Sequence, residues 1–315
     1  MMKEFLSCDW GTSTFRLRLV EAASLKIMAA ESNDNGCAAI YKLWLKSNKP
    51  ESERIAFYQH IIKTHLKILE NKVNRSLEKV PLVISGMASS TIGMVNLPYK
   101  KVPFLTDGSD IKKSIIEPNN TFPHKIIIIS GVKTTNDVMR GEETKLIGCD
   151  SIHNKKEQLF ILPGTHPKHV IVEKSRVTGF KTFMTGEFFG LLSNESILSS
   201  SIDPGGQFEE GSNKSAFEAG VKGSLTTNML HHCFLVRTNI LFNKYSRQEN
   251  FYFLSGLLIG NELKDIKKKK KKHVVLLGGT LLNSYYKVAL EVFNISILTI
   301  ENADEALIKG QAKFI

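Results

Sequence analysis

The sequence predicts an α/β protein built as two lobes of like fold, and three observations predict it. A strand–turn–strand unit occurs twice: residues 5–10, a Gly11-Thr12 turn and residues 15–20, then residues 159–162, a Gly164-Thr165 turn and residues 169–172. The two turns lie almost half of the 315-residue chain apart, as expected of a repeated supersecondary unit. Residues 81–85 and 125–130 are apolar runs of the kind found in central strands covered on both faces. Residues 53–72 carry apolar side chains at 55, 57, 58, 61, 62, 66, 68 and 69, the spacing of one helix face.

The remaining elements follow in order. Residues 15–19 alternate apolar and basic, which suits a half-buried strand, and a third strand is expected near 25–30. The polar stretch 105–123, with Pro118 and Pro123, predicts a loop and a short helix. Asn136 or Asp137 is placed to cap a helix running to about Gly148, with Glu142 and Glu143 in its early turns. The division between lobes is expected near residues 150–157, giving an N-terminal lobe of 1–155 and a C-terminal lobe of 156–315. In the second lobe a third strand near 177–183, a helix over 251–263, a strand at 274–277 and a helix over 281–293 complete the reading.

Composition narrows the function. Hydrophobic residues make up 42% and charged residues 23%, ordinary values for a globular chain. No run approaches the roughly 20 apolar residues of a membrane span, and the first residues lack a signal-peptide pattern, so a cytoplasmic protein without a membrane partner is expected. Cys8, Cys37, Cys149 and Cys233 form no CxxC pair, which predicts reduced thiols and no zinc site. The net charge of +11 owes much to lysines 267–272. That run has no interleaved aromatics to stack on bases, reads as a solvated loop, and argues against nucleic acid.

Three motifs carry phosphate chemistry. Asp9-Trp10-Gly11-Thr12-Ser13-Thr14 ends a strand with a carboxylate suited to Mg²⁺ and a turn whose backbone N–H groups can cradle phosphate. Leu162-Pro163-Gly164-Thr165-His166-Pro167-Lys168 repeats the turn after a matched strand. Leu276-Leu277-Gly278-Gly279-Thr280 opens a flat backbone surface at a third strand end. Each alone is an ordinary turn. In this order they resemble the actin–hexokinase–Hsp70 type of ATP-binding fold. That resemblance implies two ribonuclease H-like lobes with an ATP cleft between them, phosphates held by Gly11, Thr12, Ser13, Gly164, Thr165, His166 and Lys168, and adenosine covered by Gly278, Gly279 and Thr280.

A narrower resemblance lies in Met139-Arg140-Gly141-Glu142-Glu143-Thr144, Leu162-Pro163-Gly164-Thr165-His166, Thr185-Gly186-Glu187 and Phe253-Leu254-Ser255-Gly256-Leu257-Leu258-Ile259-Gly260, with Ser85-Gly86-Met87 and Pro98-Tyr99 in keeping. Over essentially the whole chain it is similar to the 2-dehydro-3-deoxygalactonokinase family. This implies an ATP- and Mg²⁺-dependent kinase of a sugar acid, phosphorylated at its 6-hydroxyl. Glu142, with Glu143 second, matches the carboxylate base of related sugar kinases. Arg16 matches an arginine that balances the transferring phosphate. Arg140 suits a substrate carboxylate, because a planar guanidinium can give it two hydrogen bonds. Gly86, Met87 and Ser89 are expected near the substrate, and Asp9 at the metal. A homodimer stays open. Rival readings are a kinase of another sugar or sugar acid and an actin-like ATPase without a small acceptor.

Overall fold

A computed structural model describes residues 3–153, 157–226, 228–267 and 273–315. Most of the lysine run, residues 268–272, lies outside them, as does the expected lobe junction at 154–156. The chain divides into two compact units. Unit 1 is Met1–His153 with Ser175–Gly179 and Ala303–Ile315, and unit 2 is Asn154–Lys174 with Phe180–Asn302.

Unit 1 begins with β1 (Glu4–Trp10), β2 (Phe15–Glu21), β3 (Ile27–Asn33), α1 (Cys37–Lys46) and α2 (Arg54–Val73). It continues with β4 (Leu82–Gly86), β5 (Lys100–Lys101), β6 (Phe104–Leu105), β7 (Lys113–Ile116), β8 (Ile126–Ile129), β9 (Val132–Lys133), β10 (Val138–Met139) and α3 (Glu142–Ile147). Six strands form one sheet in the order β3-β2-β1-β4-β8-β7. Its centre, β1, β4 and β8, is parallel, and all of β4 and β8 is buried, as their uninterrupted apolar runs require. α2 turns Tyr58, Ile62, Leu66 and Leu69 onto this sheet, and Asn74, in the left-handed region at φ 52°, ends it. β5, β9 and β10 make a separate small sheet.

Two expectations are corrected here. The helix expected from Asn136 or Asp137 to Gly148 is a strand followed by a short helix. Asp137 accepts the N–H of its own neighbour Val138 and closes a turn that pairs β10 with β9; Gly141, at φ 106°, then breaks the strand, and the helix begins only at Glu142. The same short polar side chains that cap helices also close turns, and here the turn wins. The stretch 105–123 holds no helix. Residues 113–116, Lys-Ser-Ile-Ile, instead form the edge strand β7, antiparallel to β8 and alternately exposed and half-buried.

Unit 2 holds β11 (Gln158–Leu162), β12 (Lys168–Glu173), β13 (Arg176–Thr182), α4 (Thr185–Asn194), α5 (Gly211–Gly223), α6 (Met229–Leu241), α7 (Arg247–Lys267), β14 (His273–Gly278), α8 (Thr280–Val292) and β15 (Ile297–Asn302). The first residues of β13 group with unit 1, where they pair with β6. The strand order is β15-β14-β11-β12-β13, with β11, β14 and β15 parallel. The expected strands and helices of this half are present with bounds shifted by a few residues. Gly256 and Gly260 of α7 face α5: a Cβ at Gly256 would collide with the backbone of Phe217, which explains glycine at that four-residue spacing. The last helix, α9 (Ala303–Ala312), belongs to unit 1 and packs on α3. All four cysteines are buried thiols. Among the described residues no helix is long and apolar enough to cross a membrane.

Candidate active site

In unit 1 the residues singled out from the sequence gather at the carboxyl ends of the parallel strands, where α/β sheets commonly bind ligands. Asp9 pairs across the hairpin with Arg16, whose Nη1 lies 3.3 Å from the Asp9 carboxylate and 3.8 Å from that of Asp304. The hairpin tip is exposed at Thr12 and Ser13. Beneath it the fully buried Trp10 donates its indole N–H to Asn35 O and packs edge-on against Phe15 and Tyr58. The start of α1 fixes the turn from behind: the N–H groups of Cys37 and Ala38 donate to Gly11 O and Thr12 O.

β1 and β4 run in register so that Asp9 lies beside Ser85 and Trp10 beside Gly86. Gly86 has φ 94°, and a Cβ there would stand 2.6 Å from Trp10 O and 3.6 Å from Asp9 Oδ1. A Cβ on Gly141 would in turn stand 3.3 Å from Gly86 Cα. Asp9, Gly86 and Gly141 therefore form a row, and Glu142 begins α3 directly beside it. The two glutamates differ. Glu143 is fully buried and its carboxylate accepts the N–H of Gly141 and the hydroxyl of Thr144. Burial, and then the neighbouring Glu142, push its carboxyl up to about 7. Glu142 is half-buried and accepts the N–H of Arg140.

Arg140 leaves β10 with its Nη1 donating to Ser89 O (2.5 Å) and Ser89 Oγ (2.6 Å), and its guanidinium lies over the ring of Tyr99. Ser89 is fully buried in the loop after β4, so the structure uses it to hold Arg140. Met87 turns its side chain onto the core.

In unit 2 the second hairpin is held in the same manner. The N–H of Glu187 in α4 donates to Thr165 O, and a Cβ on Gly186 would stand 2.6 Å from Gly164 O. His166 Nε2 lies 2.5 Å from Glu187 Oε2, and Lys168, almost wholly buried, donates to His166 O. The Gly-Gly turn adjoins this hairpin: a Cβ on Gly278 would meet Pro163 Cδ at 3.1 Å. Gly164 and Gly279 have open space where a side chain would point, which leaves their backbone approachable. Thr280 begins α8 and is exposed.

The structure thus brings Asp9, Arg16, Gly86, Ser89, Arg140, Glu142 and Glu143 together in unit 1, and Gly164, Thr165, His166, Lys168, Gly278 and Gly279 in unit 2. Sequence reading missed three supports. Gly36 and Gly186 sit where the hairpin backbones leave no room for a side chain, a contact no local pattern announces. Asn283, whose side chain donates to Gly278 O, secures the Gly-Gly turn from one turn into α8; an asparagine soon after Gly-Gly-Thr is the one signal that pointed to it.

Comparison with known proteins places this arrangement in a class first. The fold is the α/β fold of actin-like ATPases and sugar kinases. A crystal structure from Sinorhizobium meliloti, of a protein assigned as a 2-dehydro-3-deoxygalactonokinase, matches with TM-score 0.80 at 27% identity, over 98% of this chain and 94% of that one. The activator of 2-hydroxyisocaproyl-CoA dehydratase from Clostridium difficile, solved with bound ADPNP, shares the fold alone, at TM-score 0.51 and 12% identity over 99% of this chain and 93% of that one. The particular family follows from sequence: residues 9–314 match the 2-keto-3-deoxy-galactonokinase family, and the chain belongs to it. The 2-dehydro-3-deoxygalactonokinase of Escherichia coli is 32% identical over 71% of this chain and 74% of its own length. A Rhizobium meliloti relative assigned to the same activity is 29% identical over 97% and 94%. The chain is a phosphotransferase of this kinase type.

Proposed function

We propose that the enzyme uses ATP to phosphorylate the 6-hydroxyl of 2-dehydro-3-deoxy-D-galactonate, giving the 6-phosphate and ADP, as a cytoplasmic step of galactonate catabolism. The observation that carries this reading is the row Asp9–Gly86–Gly141, which sets a carboxylate suited to a metal beside Glu142, a carboxylate suited to a proton. The names of the relatives supply the substrate class.

The donor set fits magnesium ATP. Asp9 offers carboxylate oxygen, the ligand a hard cation takes, directly or through water. Thr12, Ser13, Gly164 and Thr165 offer exposed or approachable turn backbone to phosphate oxygens, with His166 and Lys168 beside them. Gly278, Gly279 and Thr280 offer a flat face to adenosine. When bound, magnesium ATP supplies the transferable phosphoryl group with part of its charge already neutralised.

The chain's own residues do the rest. Glu142 takes the proton of the attacking hydroxyl; of the two glutamates it is the one partly open to solvent. Glu143 locks the Gly141 turn from within and so aims Glu142. Arg16, already bridging two carboxylates, supplies positive charge beside Asp9. Arg140 holds the substrate carboxylate, with Gly86, Met87 and Ser89 shaping its surroundings. The test is an ATP-coupled screen of 2-keto-3-deoxy sugar acids, with neutral sugars and glycerol as controls. Turnover confined to sugar acids and highest for the galactonate derivative is expected. Equal turnover of neutral sugars, or ATP hydrolysis without any acceptor, contradicts the reading.

A further inference from the structure

The small sheet of unit 1 explains why Arg140 is where it is. β5 runs parallel to β9, and β10 antiparallel to β9. Tyr99 precedes β5, Gly131 precedes β9 and Arg140 follows β10, so all three stand at the same end. The guanidinium carbon of Arg140 is 4.2 Å from the centre of the Tyr99 ring. Gly131 makes this closeness possible, because a Cβ there would lie 2.9 Å from Tyr99 Cε1 and 3.1 Å from Arg140 Cβ. On the other side Ser89 fixes Nη1 through two oxygens, and Ser89 Oγ directs its own hydrogen to Gly86 O at 3.2 Å.

Every one of these partners is neutral. Among the described residues no carboxylate lies within ion-pair distance of this guanidinium; the nearby Glu142 takes the backbone N–H of Arg140 instead. Its Nε is covered from solvent and has no acceptor. A half-buried cation held by uncharged groups, with one donor unmet, is costly until an anion arrives. With Nη1 occupied, the donors that remain are Nε and Nη2, and a carboxylate reaches Nε only by displacing the groups that cover it. The side-on edge of these two donors matches the two oxygens of a carboxylate. Had the cation been made for a structural ion pair, the adjoining glutamates could have filled it.

We propose that Tyr99 and Ser89 are positioning residues that turn Arg140 into a preset carboxylate clamp, and that this clamp sets the preference for sugar acids over neutral sugars. The proposal rests on the kinase reading above. The ring face orients the guanidinium plane, and Ser89 blocks the Nη1 end so that only side-on binding is left.

The experiment compares steady-state kinetics on 2-dehydro-3-deoxygalactonate and on its carboxamide, for wild type, Tyr99→Leu, Tyr99→Phe and Ser89→Ala. Wild type is expected to use the acid far better than the amide. Tyr99→Leu is expected to raise KM for the acid roughly tenfold, the scale of a desolvated cation–π contact, with KM for ATP unchanged and discrimination against the amide reduced. Tyr99→Phe keeps the ring face and is expected to keep the wild-type KM. Should Tyr99→Leu fail to fold, Ser89→Ala and the wild-type acid-to-amide ratio still decide. Equal wild-type use of acid and amide overturns the clamp alone. So does an unchanged KM for the acid in both Tyr99→Leu and Ser89→Ala, or a rise in KM for ATP in its place. Wild-type inactivity on every sugar acid overturns the kinase reading itself.

Discussion

The hairpin of unit 1 and the hairpin of unit 2 have one scaffold and two chemistries. Each is a strand, a Gly-Thr turn and two further strands leading to a helix. In each, the start of that helix donates to carbonyls of the turn, through two N–H groups in unit 1 and one in unit 2, and a glycine there, Gly36 or Gly186, yields its side-chain space to the turn's backbone. The side chains differ. Where unit 1 has Asp9 paired with Arg16, unit 2 has Leu162 paired with Lys168. Where unit 1 leads on to Glu142, unit 2 sets His166 against Glu187. The scaffold is shared; the carboxylates proposed to act on metal and substrate, Asp9 and Glu142, belong to unit 1 alone. A repeated fold therefore predicts where a ligand is held, and only the unrepeated residues predict what happens to it.

The comparison is broken most sharply by substitutions that touch one side alone. Glu142→Gln is expected to lower kcat by roughly 10²–10⁴ with unchanged melting temperature, the usual scale for losing a general base; near-normal turnover in a folded variant removes Glu142 from that role. Next comes stability against pH. In the folded protein Glu143 keeps its proton up to about 7, while in the unfolded chain it gives it up near 4.5. The native state therefore binds more protons between these values, and stability falls as pH rises through that window, by on the order of 3 kcal/mol. Glu143→Gln is expected to flatten this fall in urea titrations at several pH values.

Smaller and symmetric effects test the shared scaffold. Gly36→Ala and Gly186→Ala each force the adjoining turn to shift and are expected to cost about 1–3 kcal/mol, read as lowered melting temperatures. A loss at only one of them would mean that the two turns are not held alike. The smallest effect belongs to unit 2: His166→Gln is expected to raise KM for ATP by roughly threefold to tenfold, the scale of one hydrogen bond, and to leave kcat nearly unchanged.

Much of this was legible in the sequence because it is local. The apolar runs at 82–85 and 126–129 each reflect one strand's own burial, whereas the alternation at 15–19 marked a strand but not a half-buried one, because Arg18 is buried and paired with Asp304. The two Gly-Thr turns announced the repeat. The segment 136–148 was misread because Asn136 and Asp137 offer the same side-chain oxygens to a turn as to a helix cap, and because the φ of 106° at Gly141 depends on its seat against Gly86. The tasks of Tyr99, Ser89, Gly36 and Gly186 were hidden for a related reason. Each exists only through a partner in a different strand, loop or helix start, and spacing along the chain does not encode such meetings.

The most direct test of the account is the position of the new phosphate. The enzyme is supplied with ATP, magnesium and 2-dehydro-3-deoxygalactonate, and the product is examined by ³¹P and ¹³C NMR. The account predicts a phosphate ester coupled to C6 and stoichiometric ADP. Phosphate on another carbon, or inorganic phosphate released with the sugar acid unchanged, would contradict it.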